Sequence, residues 1–423
     1  MSSKQSSIRA LALLNLFLAD VRDGVGPYLA IYLLTVRHWT ASSIGVAMAL
    51  PGLVAVLLQT PAGSLVDTSR HKRTLLVLAS AVVGLCCVAA VMFRAPAVIY
   101  LTQGLIGAAT TLYAPVVAAI TLGLVGHRLF AGQAARNEGW NHGGNVLAAV
   151  LAGLIGYYWR YEGIFYLVAL MCVLGSLAAL RIRPADIDDD LARGLTPAAS
   201  AEADASPAAA PASSWAVLRE PRLLRFAVAV VLFHFANAAM LPLVGQKLAL
   251  GNQQAAALFM SACIVAAQLV MIPVAAWVGR RVPTAPRKPV FLLAFAVLPV
   301  RGILYTLSAN AYYLVGVQLL DGIGAGIFGV ISVIMIADLT RGTGRFNFVQ
   351  GAITTALGIG AGLSMVLSGF LVGHFGYRVG FLTLAAVALV ALVFFWRCVA
   401  ETSPVADDAA GASVADDKQP VGV

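Results

Sequence analysis

From the N-terminus onward the chain alternates long apolar runs with short polar breaks. Apolar stretches cover about 8–36, 41–66, 73–93, 96–125, 131–158 and 161–181. A second set covers about 223–247, 254–279, 289–308, 311–338, 346–373 and 378–397. Each holds roughly the 20 residues an α-helix needs to cross a bilayer core of ~30 Å. Two sets of six predict an all-α polytopic membrane protein with twelve transmembrane helices in two pseudo-symmetric six-helix bundles. Residues 184–214 and the stretch after Glu401 are rich in Ala, Pro, Ser and acidic side chains. Such a composition cannot bury a core. The expected organisation is an N-terminal bundle over 1–183, a flexible cytoplasmic linker over 184–214, a C-terminal bundle over 215–400 and a disordered cytoplasmic tail over 401–423.

Composition removes the competing classes. Hydrophobic residues make up 60% of the chain and charged ones 11%, with a mean hydropathy of +0.87. Soluble domains run near 45–50% apolar and about 25% charged, so a water-soluble globule is excluded. The formal charge of +9 sits in the breaks between runs. With the N-terminus inside, 21 Lys and Arg fall on the cytoplasmic side against five outside, while Arg22 and Arg301 lie mid-span. That asymmetry places both termini in the cytoplasm of a multi-pass protein of the plasma membrane, expected to be a bacterial inner membrane. No compact basic domain supports a nucleic-acid partner. The five cysteines lie in apolar runs without metal-ligand spacing and read as small hydrophobic filler. The first run has no A-x-A-like cleavage site and is expected to remain as an anchor.

A shift of 217 residues superposes Ile106-Gly107-Ala108 on Ile323-Gly324-Ala325, Arg128 on Arg345, Gln133 on Gln350, Gly156 on Gly373 and Gly163 on Gly380 without gaps. Like-oriented helices at one offset imply a parallel repeat with a substrate path between its halves. The loop after the second run reads Gly63-Ser-Leu-Val-Asp67-Thr-Ser-Arg70-His71-Lys72-Arg73. It resembles the G-x-L-x-D-R-x-G-R-K signature of the major facilitator superfamily, matching at Gly63, Leu65, Asp67 and Lys72. Thr68, Arg70 and His71 depart from it. The resemblance implies a cytoplasmic gating loop at Gly63, Asp67, Lys72 and Arg73, and a protein that works as a monomer. Tyr100-Leu-Thr-Gln103-Gly104 resembles the family's R-x-x-Q-G stretch with Tyr100 in place of the arginine, so coupling through that arginine is not open to this chain. Gly139-Trp-Asn-His-Gly143-Gly144 lacks the proline typical of drug/proton antiporters.

Ionisable groups inside a span are costly and mark function or pairing. The first run carries Asp20, Arg22 and Asp23 near mid-depth, followed by Gly24, Gly26, Pro27 and Tyr28. Asp20 and Asp23 share a helical face, and two such carboxylates cannot both ionise cheaply, which suits a proton carrier. A structural pair with Arg22 is the alternative. Glu138, Asn141, His142 and Asn145 form one polar stripe through i, i+4 spacing, fit for proton relay and solute hydrogen bonds. Asp20, Asp23, Glu138 and His142 are the proton-coupling candidates. Arg22, Tyr28, Gln103, Tyr113, Asn141, Asn145, His234, Asn237 and Asp321 are the substrate-cavity candidates. Arg301 and Asp321, at similar depth on neighbouring helices, are expected to form a structural pair. His142 and Glu138 are too few for a metal site, and no cofactor is called for.

No G-x-x-x-x-G-K-[ST] occurs, so energy must come from a gradient. The leading expectation is a secondary active transporter moving a small organic molecule by alternating access, with proton-coupled efflux. The alternative is proton-coupled or facilitative uptake of a polar or anionic solute. A membrane-embedded transferase would use the D-x-x-D of the first span, but that pair lies too deep.

Overall fold

The computed structural model describes residues 3–21, 25–192, 219–281, 285–340 and 346–402. Every regular element among them is helical. The order is α1 (Ser3–Val21), α2 (Pro27–Thr35), α3 (Ala41–Thr68), α4 (Lys72–Met92), α5 (Pro96–Thr110), α6 (Tyr113–Tyr158) and α7 (Glu162–Arg181). A short 3-10 turn (Pro184–Asp186) and α8 (Asp189–Ala192) follow. Then come α9 (Pro221–Asn237), α10 (Met240–Gly251), α11 (Ala256–Arg281), α12 (Arg287–Leu307), α13 (Ala311–Leu339) and α14 (Phe346–Cys398). Nine helical spans among the described residues are long and apolar enough to cross a membrane. The chain is an all-α polytopic membrane protein.

Local chemistry explains the boundaries. Pro27, Pro96 and Pro221 occupy first turns, where a missing N–H costs nothing. Thr40 caps α3 by accepting the Ser43 N–H, and Asn310 caps α13 by accepting from Tyr312 and Tyr313. The breaks expected near 126–130 and 374–377 shrink to single glycines. Gly126 (φ 72°) interrupts α6 and Gly376 (φ 82°) interrupts α14, in a backbone region that side chains with a Cβ avoid. Three apolar runs are also broken midway, at α1/α2, α5/α6 and α9/α10. Thr110 and Thr111 donate to the carbonyls of Gly107 and Ala108, re-satisfying groups that the α5/α6 break releases.

The described chain divides into two compact units. The first comprises Met1–Ala209, Leu241–Val265 and Ala361–Gly380, so it draws helical ends from the second half of the sequence. Within it, α1 packs on α6 and α7, α4 on α7, and α3 on α5. Glycines set the closest approaches, as small residues do where lipid offers no hydrophobic drive between helices. A Cβ at Gly107 would run into the Pro51 backbone, one at Gly369 into Ala41, and one at Gly153 into Ser261. The segment after α7 lies across one end of this unit. Asp186 accepts the Ser7 hydroxyl at 2.5 Å, Ser7 accepts the Arg183 N–H at 3.1 Å, and Asp188 N–H donates to Gly123 O at 3.1 Å. Arg73 donates to Ile182 O, and Lys72 lies 3.7 Å from Asp189. Residues 184–192, read from composition as the start of a linker, are thus docked, because their acids and amides find partners on α1, α4 and α6.

The second unit comprises Ala210–Met240, Ala266–Gly360 and Phe381–Val423. Its core is aromatic. Phe233 stacks on Phe328 at 4.5 Å, Phe295 on Phe395 at 4.5 Å, and Phe291 sits edge-on to both Phe295 and Phe395. The Glu401 carboxylate accepts the N–H groups of Arg287 (2.9 Å) and Lys288 (3.0 Å), capping α12 with a negative charge at its positive end. Asp338 pairs with Arg287 at 3.4 Å and accepts the Thr402 hydroxyl.

Glycine crowding gives a direct test. A Cβ at Gly322 would meet the Ala267 carbonyl and lie 2.7 Å from Val270 Cβ, whereas one at Gly316 meets nothing within 4 Å. Gly322→Ala is expected to cost about 1–3 kcal/mol. Gly316→Ala is expected to leave stability unchanged or slightly raised. A thiol-reactive dye reporting heat-induced exposure of buried Cys86, Cys87, Cys172 and Cys263 measures both.

Candidate substrate and coupling site

The densest polar constellation among the described residues lies in the second unit, where α9, α12 and α13 meet. Arg301 on α12 is 1% exposed in an apolar helix. Its guanidinium pairs with the Asp321 carboxylate of α13. A second nitrogen donates to Asn237 Oδ1 at 2.5 Å, and Nε reaches Met240 Sδ at 3.3 Å. The guanidinium also lies 5.9 Å from the centre of the Tyr305 ring, one helical turn onward. The other Asp321 oxygen accepts Gln318 Nε2 at 2.8 Å, and Gln318 Oε1 accepts the Tyr305 hydroxyl.

This closed circuit is what makes the burial affordable. A desolvated ion pair repays its cost only when its remaining donors and acceptors are bonded as well. Gln318 and Tyr305 are fully buried, while the Asp321 side chain keeps 20% exposure. The carboxylate is therefore the charged end of the circuit that remains accessible. One turn before Asn237 sits half-buried His234. Its Nδ1 donates to Val230 O at 3.1 Å, since a carbonyl can only accept, so in the neutral ring Nε2 is an acceptor. The Phe328 ring stands edge-on to the imidazole at 4.7 Å.

The other sequence candidates fall elsewhere. Tyr28 is 3% exposed, with its hydroxyl 2.7 Å from Ser261 Oγ and 3.4 Å from Ala149 O, all in the first unit. Gln103 and Tyr113 are buried at 5% and 1% on α5 and α6. Glu138 is exposed, His142 and Asn145 are half-buried, and one hydrogen bond in the stripe runs from Asn141 Nδ2 to Glu138 at 3.4 Å. Of the motif residues, Lys72, the first of α4, is 1% exposed and donates to Ser69 O at 2.9 Å, while Gly63 lies inside α3, where an added Cβ would meet nothing within 4 Å. Arg22 and Asp23 lie outside the described residues, as do the side chains of Asp20 and Asp67. Among the described residues no three His, Cys, Asp or Glu converge as a metal site.

Sequence reading passed over Gln318, Tyr305, Met240 and Ser261. The first two had a usable signal, since Gln318 is three residues before Asp321 and Tyr305 four after Arg301. A second missed chain is buried in the first unit, where Gln133 Nε2 donates to Asn137 Oδ1 and Asn137 Nδ2 to Thr121 Oγ1, both at 3.0 Å.

Known proteins agree with this architecture. The chain is 48% identical over 394 residues to an uncharacterized MFS-type transporter of Mycobacterium tuberculosis, in both the H37Rv and the CDC 1551 / Oshkosh strains, with 93% of each chain covered. Among solved structures, the nucleoside transporter NupG superposes with a TM-score of 0.71 at 15% identity, over 94% of this chain and 98% of that one. A point mutant of NupG gives 0.73 at 16% identity, over 92% and 99%. At that identity the likeness speaks for the fold. The sequence profile of the Major Facilitator Superfamily matches residues 11–300 and 261–418, and the chain belongs to that superfamily of membrane transporters, which are not enzymes.

Proposed function

We propose that this secondary transporter takes up a polar, uncharged small organic solute by alternating access, with protons as the coupling ion. The observation that carries the reading is the Asn237–Arg301–Asp321–Gln318–Tyr305 circuit with its one accessible carboxylate. Because Asp321 already neutralises Arg301, that guanidinium is not a bare receptor for an anionic cargo. What remains is a set of hydrogen-bonding groups, His234, Asn237 and Asp321, bordered by Phe328. That one transporter sharing the fold, NupG, is a nucleoside transporter supports a cargo of this hydrogen-bonding class. A polar cargo favours uptake over the efflux expected from sequence, because the bilayer excludes such a solute and the cell must import it. Protonation of Asp321 would release Arg301 from its partner, so proton binding and the state of the circuit are linked. Asp20, Asp23, Glu138 and His142 stay candidates for a further proton step.

The same reading holds that the chain crosses the membrane twelve times in two six-helix bundles, with both termini on the cation-rich side. Gly126 and Gly376 then serve as turns between successive spans. Breaks in the first, fourth and seventh spans fit helices that line a cavity, where irregular backbone is tolerated. Contacts tying 241–265 and 361–380 to α2, α3, α6 and the α6–α7 turn form the closed gate on the cation-poor side. They include Tyr28 to Ser261, Ser42 to Gly369 O at 3.3 Å, and Tyr161 to the Gln253 carbonyl. Burial there pushes the Tyr161 phenol up to about 12, so it stays a protonated donor throughout the physiological range.

Three outcomes test the proposal. In proteoliposomes, Asp321→Asn is expected to abolish accumulation driven by a proton gradient while preserving exchange of labelled nucleoside across the membrane. Equal loss of both would sink the coupling role. Breaking the pair from one side is expected to cost about 3–5 kcal/mol, and Arg301→Met with Asp321→Asn together should cost less than the two singly summed. A Cβ at Gly373 lies 3.8 Å from Ser42 Cβ, the mean spacing of a disulfide. Ser42→Cys with Gly373→Cys is therefore expected to crosslink on oxidation and arrest transport, with recovery on reduction.

A further inference from the structure

We propose that α4 and α7 hold one anionic phospholipid at the membrane surface where α4 begins. Two cavities lie in line along this pair of helices. The first, of about 130 Å³, is lined by Arg70, His71, Lys72, Arg73 and Thr74 at the α4 N-terminus, with Pro184, Ile187 and Asp189 opposite. The second is a groove of about 430 Å³ further into the span. Val77, Ser80, Ala81, Gly84, Leu85 and Val88 of α4 form one wall, and the small side chains of Ala169, Cys172 and Ser176 line the other beside Val173 and Leu177.

The helical period joins them. Positions 77, 80, 81, 84, 85 and 88 form one stripe of α4, and its preceding turn is Arg73 and Thr74. On α7 the stripe 169, 172, 173, 176 and 177 runs on to Leu180 and exposed Arg181. One face therefore passes from a cationic mouth into an apolar slot, which is the polarity profile of a single phospholipid. Leu85 is 70% exposed, and Val173 and Leu177 about half, so the slot opens outward between raised side chains. That shape admits one acyl chain and not the broad surface of another helix.

A second, independent observation points to a ligand. The Ser80 hydroxyl is fully buried and has no hydrogen-bond partner among the described residues. A donor held this way in a membrane span is costly, and serines there commonly bond back to their own helix. Thr74 to Ser80 covers about 9 Å of helix. The groove thus places Ser80 between the cationic mouth and the deeper apolar wall, where the ester oxygens of a phospholipid lie. The lipid supplies the acceptor Ser80 lacks, its phosphate meets Arg70, Arg73 and the α4 amides, and exposed Arg181 ends α7 one residue before Ile182, whose carbonyl binds Arg73. A free phosphate would use the mouth and leave the groove and Ser80 unserved.

The test is native mass spectrometry of the delipidated full-length protein. It is titrated with dioleoyl phosphatidylglycerol and with dioleoyl phosphatidylcholine, which share the same chains. One phosphatidylglycerol is expected to be retained more tightly. Arg70→Gln and Arg181→Gln should each weaken that retention about fivefold and leave phosphatidylcholine unchanged. Ala81 is exposed, so Ala81→Phe fills the slot without entering the bundle, and both lipids should be lost at an unchanged melting temperature. Equal retention of the two lipids, or indifference to Ala81→Phe, would overturn the proposal. So would displacement of phosphatidylglycerol by inorganic phosphate alone, which would mark a simple anion site.

Discussion

A guanidinium buried to 1% exposure inside an apolar helix dictates much of what surrounds it. Arg301 cannot lose its charge, so each of its nitrogens must find a partner, and the carboxylate that neutralises it needs partners in turn. Asn237, Met240, Asp321, Gln318 and Tyr305 meet that demand from four helices. Their positions fix the rotation of α9, α12 and α13 about their axes far more tightly than the Phe-rich packing below them does, since an apolar contact tolerates a slide that a hydrogen bond does not. In the proposed cycle a charged Asp321 holds Arg301, and a neutral one would release it.

Elsewhere the structure relies on the absence of side chains. Gly45 against Gly369, Gly107 against Pro51 and Gly153 against Ser261 bring backbones together where lipid supplies no hydrophobic incentive. These contacts depend on shape, with a few hydroxyls such as those of Tyr28 and Ser42 fixing register. Dispersion over many such atoms is individually weak and releases gradually. That is what a surface must have if it opens and recloses in each cycle, and it contrasts with the all-or-none bonding around Arg301.

Much of this was legible from the sequence, for definite reasons. Arg301, Asp321 and Asn237 stand out because a charged or amide group in an apolar run has few innocent explanations. Lys72 and Arg73, which hold Asp189 and Ile182, stood out by motif and spacing. Gln318 and Tyr305 did not, although both sit a turn from a flagged residue, because an uncharged polar side chain in a span is common. Ser261 was invisible for another reason: its partner Tyr28 is more than two hundred residues away, and no periodicity encodes a meeting between distant helices. Residues 184–192 misled by composition, since Ala, Pro and Asp read as solvated until Ser7, Lys72 and Gly123 are seen to receive them. Gly126 and Gly376 show the limit of hydropathy, which marks a polar break but not that a single glycine makes the kink there.

The segment behind α7 and the Glu401 cap on α12 occupy corresponding places, each just after the last long helix of its half of the sequence. Both fasten onto helices made earlier, Arg73 and Ser7 in one case and Arg287 and Asp338 in the other. Synthesis runs from the N-terminus, so in each half the clasp leaves the ribosome after the helices it fastens. Until it arrives the preceding helices hold one another through packing and through the polar contacts inside each half, such as those of Arg301 and Asn137. The order of manufacture is thereby written into the structure: each half is fastened only after its last long helix has been made.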